Sequence, residues 1–595
     1  MSMRGCTALC IIVLGLSGGQ VFSQDLHIIP ETNLPSTEQI RKTGQNLAAQ
    51  QRAARQELLS PEASASTEMQ PALDNVTDAN CINLSNIILR GVTLLSAVER
   101  TAVVKPYVKK CVGLKSVDDL TRAITKIYFD KGYIAARVYV PQQSIADGQL
   151  ELQIEEGRVE ALTFNGDFEV NQKGLGSLFP GIIESPVNLY TVDQGIEFIN
   201  RLPSSQAKIE FVAGTQPGYT IVNLKDSSEK PIRFTIGIDN EGTKSSGIIG
   251  TNYSASFDNP VGRYDQLRLS YGFTSEQAFY FNHEPERSES YSLFYSIPYG
   301  KTLYSVSASR FSYDNWYIPD PGTPYGTSGE TKSFNLEGEH TIFRDQAQIL
   351  KFNAALSKTE SNNFLVTYGI RVPIEVQSRS QAALSIGMNY SKLLAKGRFS
   401  SSLTYRQAIF PSGVSDDDHP SFGVYEARYK LVKANIGYSR LVSLGGKSLI
   451  YSLSFVGQQS DDNLLSAQGF AIGGKYSVRG TRQSYAAGPK GYYVQNNLVL
   501  PLNQLDFASG SRFKSGLSAN IGFDHGLIES SFDYEYATAT GLSLGLKGSW
   551  NNYTVDLSAE RLIAAFDRAA IADRLGMARE DLNGTRWYLK LGVNF

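Results

Sequence analysis

The sequence predicts a transmembrane β-barrel preceded by small α/β modules, and three observations carry this prediction. From about residue 231 onward, apolar and polar residues alternate with a period of two, which is typical of strands with one face against lipid. The chain begins with the pattern of a secretory signal peptide. Tyr, Phe and Gly are abundant, with 32, 29 and 53 residues, as a membrane barrel allows.

Residues 1–23 are predicted to be the signal peptide. Arg4 supplies a positive start, a short apolar run follows, and Val21 and Ser23 offer small residues at the −3 and −1 positions of a cleavage site. A buried N-terminal helix is the alternative, but the glycines of this segment disfavour it.

The cysteines divide between this segment and the mature chain. Cys6 and Cys10 would leave with the signal peptide, so Cys81 and Cys111 remain. An exported chain with two cysteines favours one disulfide in an oxidising periplasm. Such a bond would close a loop of about thirty residues and stabilise its domain by roughly 3–4 kcal/mol. Two free buried thiols are the alternative.

Residues 24–59 are expected to contain a helix over 36–59, which Ser36 can cap. Its apolar face is thin, and a helix that is polar nearly all round is either solvated or lies in a wet cavity. The residues alone favour a solvated arm. Residues 60–78 lack periodicity and are predicted to be a linker.

Residues 79–158 are predicted to form a first small α/β module. We expect a helix that Ser116 caps, and three strands at 82–89, 136–140 and 150–154. Glu155 and Glu156 close this module. They are interpreted as exposed edge residues and not as catalytic acids, because no histidine or second acidic cluster accompanies them.

Residues 159–230 repeat this plan as a second module. A strand at 159–164 precedes a helix over 192–202, which Pro203 ends. Two further strands are expected around 209–211 and 219–221.

Residues 231–595 carry the alternation predicted to form the barrel. A soluble β-sandwich would alternate in the same way, but the signal peptide and the aromatic residues near strand ends favour the membrane. These aromatic residues are Trp316, Tyr317, Trp550, Tyr553 and Trp587.

Residues 562–579 are predicted to be helical and to lie in the last external loop.

The candidate functional residues lie in a glycine-rich motif and a later strand. Glycines on both sides of Arg479 let the backbone turn sharply and leave its side chain unobstructed. A guanidinium favours a planar carboxylate partner, and Asp524 is a candidate. On these residues alone, an exposed loop arginine and an unrelated strand aspartate are the more common arrangement.

The motif Gly-Gly-x-Tyr-Ser-Val-Arg-Gly at 473–480, followed by a strand with Asp-x-Gly at 524–526, resembles the outer-membrane transporters of two-partner secretion. These are the exporters of haemolysins and filamentous haemagglutinins, within the superfamily of barrels with polypeptide-transport-associated (POTRA) domains. The segment at 258–262 also resembles a signature that follows the first barrel strand of this family. The family has an aromatic residue after Arg-Gly, where this chain has Thr481.

The resemblance implies the arrangement of the site and of the domains. Arg479 would sit at the tip of a long loop folded into the barrel, and Asp524 on the inner wall. The two modules would be tandem POTRA domains, and the helix before them would plug the lumen. Sixteen strands would leave about 23 residues for each strand and its connection, which suits strands of about 9–11 residues. The loop motif residues would be Gly473, Gly474, Val478 and Gly480.

The function that the resemblance implies is passive secretion of one large unfolded exoprotein across the outer membrane of a Gram-negative bacterium. The partners would be this exoprotein, bound by periplasmic POTRA domains, and outer-membrane lipid. No ATP, cofactor or metal is expected, and no catalytic constellation is predicted. The balance of 56 basic and 58 acidic residues shows no nucleic-acid footprint.

Three alternatives remain open at this stage. A barrel-assembly insertase typically carries more POTRA modules than this chain has room for. A porin or receptor would not need two periplasmic modules. An outer-membrane hydrolase would need a Ser/His pair, and the five histidines are scattered.

Overall fold

The fold is taken from a computed structural model that describes most of the chain after residue 80. The predicted signal peptide at 1–23, the helix region at 24–59 and the linker at 60–78 lie outside the described residues. The described residues are 81–145, 147–167, 174–227, 229–242, 247–275, 287–317, 325–367, 370–415, 425–465, 467–482, 484–502, 516–529, 536–565 and 584–595.

The first module packs two helices against a small sheet. The sheet order is β2-β5-β4, with β2 and β5 parallel and β4 antiparallel at one edge. Leu120, Ile124 and Tyr128 recur on one face of the second helix and are fully buried against the sheet. The elements are β1 (Ile82–Asn83), β2 (Asn86–Arg90), α1 (Ala97–Val104), β3 (Cys111–Val112), α2 (Leu114–Asp130), β4 (Arg137–Tyr139) and β5 (Gln149–Glu155).

Four details of the first module differ from the prediction. The first strand is split into β1 and β2, and α1 was not predicted. Ser116 does not cap α2, because the helix already begins at Leu114 after Gly113. Glu156 is not a free edge residue: its carboxylate accepts hydrogen bonds from the backbone amides of Thr93 and Leu94, at 2.7 and 2.8 Å, so it orders the turn before α1.

Cys81 and Cys111 form a disulfide, with a Cα–Cα distance of 5.2 Å. The bond ties β1 to β3, which pair through Asn83 and Cys111. It therefore fixes the beginning of the module to the segment just before α2.

The second module repeats a three-stranded sheet covered by helices. Its sheet order is β6-β8-β7, and the outer side of β6 is covered because Val159 exchanges backbone hydrogen bonds with Ser185 and Glu184. Among the described residues, nothing pairs with the outer side of strand β7, which forms the other edge of the sheet. The elements are β6 (Arg158–Phe164), α3 (Leu175–Leu178), α4 (Leu189–Asn200), β7 (Ala207–Ala213) and β8 (Tyr219–Asp226).

Sixteen antiparallel strands close into a barrel, as predicted. Closure is made by the last strand, which pairs with the first from Lys590↔Asp239 to Asn594↔Thr235. The strands are β9 (Ile232–Asp239), β10 (Ile249–Asp258), β11 (Gln266–Ser275), β12 (Arg287–Tyr299), β13 (Thr302–Tyr317), β14 (Tyr325–Arg344), β15 (Gln348–Thr367), β16 (Ile370–Leu394), β17 (Gly397–Ile409), β18 (Lys430–Leu444), β19 (Lys447–Gln459), β22 (Lys490–Pro501), β23 (Ser518–Glu529), β24 (Tyr536–Trp550), β25 (Tyr553–Ala565) and β26 (Arg586–Asn594). The two strands between β19 and β22 leave the barrel wall and belong to the site described below.

The alternation sorts side chains between lipid and lumen. On β23, Ile521 and Phe523 face outward and are 52% and 47% exposed, whereas Asp524 is completely buried on the inner side. Within the described residues, no helix is long and apolar enough to cross a bilayer.

Two expectations about the barrel were wrong. Residues 562–565 are not helical but complete β25, because Leu562 and its neighbours pair with β24; the remainder of the predicted helix lies outside the described residues. The signature at 258–262 follows the second strand and not the first. It forms the β10–β11 turn, which lies at the end of the barrel that carries the modules.

The second module is docked on this end of the barrel through α4. Arg201 donates to the backbone oxygen of Tyr264 (2.9 Å) and to the hydroxyl of Ser296 (2.7 Å). The ring of Tyr264, in the β10–β11 turn, is part of the hydrophobic core of the module. Asp258 of β10 accepts from the backbone amide of Ser204 at 3.1 Å, so turn, strand and module share one interface.

A buried ion-pair group continues this interface beneath β14 and β15. Glu197 contacts Arg344 and lies 3.0 Å from Lys351. Burial opposes ionisation of Glu197, but the two cations outweigh it and hold its pKa at about 2. Burial raises the pKa of the neighbouring Asp193 to about 6, despite the attraction of Arg344. The module therefore sits under β10–β15, on one side of the barrel mouth.

Candidate functional site

The connection between β19 and β22 folds back into the barrel as a hairpin. Its strands, β20 (Phe470–Gly473) and β21 (Ser484–Gly488), pair with each other and not with the wall. We call residues 470–488 the inner loop. Ile472 and Val478 are fully buried and pack against wall residues, which are Tyr493, Ile528, Ala539 and Leu562.

Glycines give the inner loop its tight tip. Gly473, Gly474 and Gly480 have φ values of 100°, 83° and 117°, which other residues rarely adopt. The hydroxyl of Thr481 accepts a hydrogen bond from the backbone amide of Gly474 at 2.8 Å, and Ser477 donates to the carbonyl of Gly473 at 2.8 Å. Thr481, which replaces the family's aromatic residue, thus closes the base of the tip and is 2% exposed.

Arg479 lies at this tip and contacts Asp524 on β23. The Arg479 Nε atom donates to Asp524 Oδ2 at 2.6 Å, and Nη2 contacts Oδ1, so the pair is bidentate. The backbone amide of Arg479 donates to the same Oδ2 at 3.0 Å, and Nη1 donates to Asn497 Oδ1 at 2.8 Å. The Asp524 side chain is 0% exposed and that of Arg479 is 11% exposed. Each buried charge is therefore stabilised by its partner and would be costly without it.

The barrel wall receives the tip through its own glycines. A Cβ atom at Gly541 of β24 would overlap the carbonyl oxygen of Arg479, and one at Gly522 of β23 would overlap its guanidinium. A Cβ at Gly526 would lie 2.8 Å from the Val478 side chain. These positions face inward, and only a residue without a side chain lets the loop lie directly on the wall.

A second group of contacts holds the other side of the tip. Glu241, just after β9, pairs with Lys475 and accepts from the Tyr476 hydroxyl at 2.9 Å. Arg482 donates to the carbonyl of Asn240 at 2.7 Å. Lys475 and Arg482 also lie over the ring of Tyr588, at 5.3 and 5.6 Å from its centroid. The inner loop is thus fixed to both strands that close the barrel.

Sequence reasoning singled out the motif residues and Asp524, and the structure brings them together. It did not find Asn497, Gly522, Gly541 or Glu241. A glycine at an inward position of an alternating strand was the available signal for the two wall glycines. No comparable pattern marked Glu241, because its contact with Lys475 spans 234 positions.

The lumen wall away from the loop is lined differently. Across β9–β15, hydroxyl side chains occupy one register row, which contains no ionisable residue. We call this the hydroxyl row. It consists of Thr235, Ser254, Ser270, Ser292, Ser309, Ser333 and Thr359.

The described part of the chain contains no group of three or more His, Cys, Asp or Glu placed to hold a metal ion.

Comparison with known families gives three matches along the chain. Residues 218–548 match the family of haemolysin secretion/activation proteins ShlB/FhaC/HecB. Residues 82–157 match the ShlB-type POTRA domain, and residues 158–213 match a further POTRA domain.

Similar proteins and structures agree with these matches. The outer membrane transporter CdiB of Dickeya dadantii is 30% identical over 482 residues, which are 81% of this chain and 84% of that protein. The hemolysin transporter protein ShlB of Serratia marcescens is 30% identical over 492 residues, covering 82% and 83%. The solved structure of CdiB from Escherichia coli has a TM-score of 0.78 and 25% identity, and covers 94% of this chain and 98% of that one. The chain therefore belongs to the ShlB/FhaC/HecB family, the POTRA-bearing outer-membrane transporters of two-partner secretion.

Proposed function

We propose that this transporter receives one large exoprotein on its POTRA modules and passes it, unfolded, along the hydroxyl row. The observation that carries the proposal is the placement of the second module. It docks under β10–β15, directly below this row, whereas the inner loop occupies the wall of β22–β26. A chain leaving the module would enter the lumen on the side away from the wall that the inner loop occupies.

The chemistry of the row suits an extended polypeptide of any sequence. Serine and threonine hydroxyls both donate and accept, so they can exchange hydrogen bonds with a passing backbone. Each such bond is worth only about 1 kcal/mol net, which does not trap the chain. A row without ionisable groups also avoids holding charged segments of the cargo. Folding of the cargo outside the cell would provide the driving force, without ATP.

The modules offer open sheet edges for capture. The strand β7 has no partner on its outer side among the described residues, and β4 is the corresponding edge of the first module. An extended segment of the cargo can add to such an edge through backbone hydrogen bonds, which demand little of its sequence. We expect this segment to be the N-terminal region of the cargo, since it would arrive first.

Deletion of the first module tests capture. Removing residues 79–158 should abolish secretion while the barrel still inserts, as shown by its heat-dependent migration on gels. Normal export by this variant would exclude a receptor role for the module.

Crosslinking to a stalled cargo tests the path. Ser292→Cys and Ser309→Cys should each form crosslinks with a cargo halted by a folded C-terminal fusion. Asn520→Cys, on the inner face of β23, is the matched control and should crosslink far less. A cargo that stalls but crosslinks equally at Asn520→Cys would exclude the hydroxyl row as the path, although transport itself would stand.

Assembly of other outer-membrane barrels is the function that competes with secretion of a cargo. A barrel-assembly insertase is the second class that two POTRA modules and a barrel permit. The family match and the secretion transporters among the similar proteins favour transport. Depleting the chain should therefore remove one secreted protein and leave the abundance of other outer-membrane barrels unchanged.

A further inference from the structure

The outward face of β9–β15 contains a cavity of about 1040 Å³, on the lipid side of the hydroxyl row. Its floor is one register row that is apolar from Phe234 to Phe334 and contains two small residues, Ala255 and Ala308. Ala308 lies between Leu293 and Phe334, and this small side chain between two large ones leaves a hollow. Leu293 and Phe334 are 40% and 49% exposed on this face. The hollow can therefore accept a flexible hydrocarbon chain.

The next row toward the external end changes from aromatic to cationic along its length. Tyr253, Tyr271, Tyr291, Arg310 and Lys332 stand side by side on β10–β14. The rings of Tyr271 and Tyr291 are 4.9 Å apart. Tyrosines of this kind mark the membrane interface. Barrel strands are tilted by about 35–45°, so a register row climbs as it crosses them. This row lies four residues from the module-side start of β9, at Ile236, and eight from that of β13, at Arg310, so its cationic end is the one nearer the external headgroups.

The charges at this end do not cancel. Arg310 and Lys332 share the carboxylate of Glu330, at 2.9 and 3.0 Å, and Lys358 pairs with Glu360 at 2.7 Å. Three cations thus meet two carboxylates around the cavity. The side chains of Arg310, Lys332 and Lys358 remain 57%, 59% and 43% exposed, so they can still donate to another group.

A cation on the lipid face of a barrel is costly unless an anion meets it. The described strands carry a matched contrast on the far side of the barrel. There Lys490, also at the external end of its strand, lies 3.2 Å from Asp461 and 3.9 Å from Glu529, so carboxylates exceed cations. The positive excess is therefore a property of the cavity and not of the external rim in general.

We infer that this cavity binds a phosphorylated lipid of the outer leaflet. One acyl chain fills the hollow beside Ala308, and a phosphate accepts hydrogen bonds from Arg310, Lys332 and Lys358. The tyrosine row lies beside the sugar or glycerol part of the headgroup. The bound lipid covers the strands whose inner face carries the hydroxyl row.

Native mass spectrometry of the full-length protein in detergent tests the site, with lipid A, a diphosphorylated glucosamine lipid, as the probe. The wild-type protein and Lys490→Ser should bind one lipid A tightly. In the triple variant Arg310→Ser/Lys332→Ser/Lys358→Ser, the Kd for lipid A should rise by about tenfold or more. A tenfold rise corresponds to a loss of about 1.4 kcal/mol of binding free energy. Enzymatically dephosphorylated lipid A should bind the wild type as weakly as lipid A binds the triple variant.

Three outcomes would overturn the inference. These are equal binding of lipid A by the triple variant, equal binding of the dephosphorylated lipid, and complete competition by inorganic phosphate, which would indicate a site for a free anion. Folding of each variant is checked by heat-dependent gel migration. If the triple variant does not fold, Lys332→Ser alone decides, and it should weaken binding of lipid A while Lys490→Ser does not.

Discussion

The two sides of the lumen wall differ in how they treat what lies against them. The wall of β22–β26 holds the inner loop by a buried ion pair, by three glycines on which the loop lies directly, and by a group of contacts around Glu241. On the wall of β9–β15, the hydroxyl row offers weak and uniform partners. Specific contacts suit a permanent occupant, whereas uniform contacts suit a passing one. One barrel thus combines a wall that fixes a loop with a wall of uniform hydroxyl groups, and the two differ in their inward-facing residues.

The largest effect should come from adding a side chain at one of the wall glycines that contact the inner loop, which are Gly522, Gly526 and Gly541. In Gly541→Val the new side chain overlaps the Arg479 backbone, so the loop is displaced or strained by about 3 kcal/mol or more. We expect secretion to be lost while the barrel still inserts. Gly237→Val on β9 is the control, because its nearest neighbour would be the Leu591 carbonyl at 3.7 Å. Equal loss of secretion in both variants would show that the contact between Gly541 and the inner loop has no special role.

Removal of the ion pair should have the next largest effect. Arg479→Ala or Asp524→Ala leaves the other charge buried without its partner, at a cost of about 3–5 kcal/mol. Each should impair secretion measured in culture supernatants, without preventing insertion. The double variant should be no worse than the worse single one, because the two residues act together.

The conservative variant sharpens this test. Arg479→Lys should restore secretion only in part, because an ammonium cannot form the planar fork or reach Asn497 and Asp524 together. Full secretion by Arg479→Lys, or additive losses in the double variant, would reduce the pair to two independent charges.

The smallest effect concerns how the module is held below the hydroxyl row. Burial keeps the pKa of Asp193 near 6, above its ordinary value of 3.8, so between about pH 4 and 6 this carboxyl keeps its proton in the folded protein while it ionises in the unfolded chain. The stability of the docked module should fall as the pH rises from about 4 to 6 and stay constant above that. Asp193→Asn should remove this loss and gain at most about 3 kcal/mol at pH 7.5.

Thermal unfolding of the modules in the full-length protein, followed by circular dichroism from pH 4 to 8, measures this difference. Glu197 stays ionised in this range in the folded state, because its pKa is about 2. The difference in stability between wild type and Asp193→Asn should grow from about pH 4 to 6 and stay constant above pH 6. A constant difference at all pH values would assign the effect to packing instead of titration.

The sequence predicted the elements whose signals are local. The alternation after residue 231 indicated the barrel, and the periodic apolar residues indicated α2 and α4. The Arg-Gly motif located the loop tip because its glycines occupy conformations that few residues adopt. Resemblance supplied the strand number and the partner of Arg479.

What could not be predicted depends on contacts between distant parts of the chain. Arg201 reaches Ser296, and Glu241 reaches Lys475, only after the barrel has closed and the module has docked. The predicted helix at 562–579 was wrong at its beginning, because alanines and leucines that favour a helix in isolation pair with β24 instead. The hydroxyl row is likewise invisible along the chain, since its members come together only through strand register.

Locking the inner loop to the wall tests the central claim most directly. Val478→Cys/Gly526→Cys places two thiols where the Val478 side chain and the Gly526 position are already in contact. Val478→Cys also removes the methyl group that a Cβ at residue 526 would approach. Secretion is measured in the same double variant with the disulfide formed, verified by thiol alkylation, and after its reduction, with Val478→Cys alone as a further control. If the loop stays in place while the cargo follows the hydroxyl row, the locked transporter should secrete as much as the reduced one. Loss of secretion on locking, restored by reductant, would contradict the account, because it would mean that the loop must leave its wall for the cargo to pass.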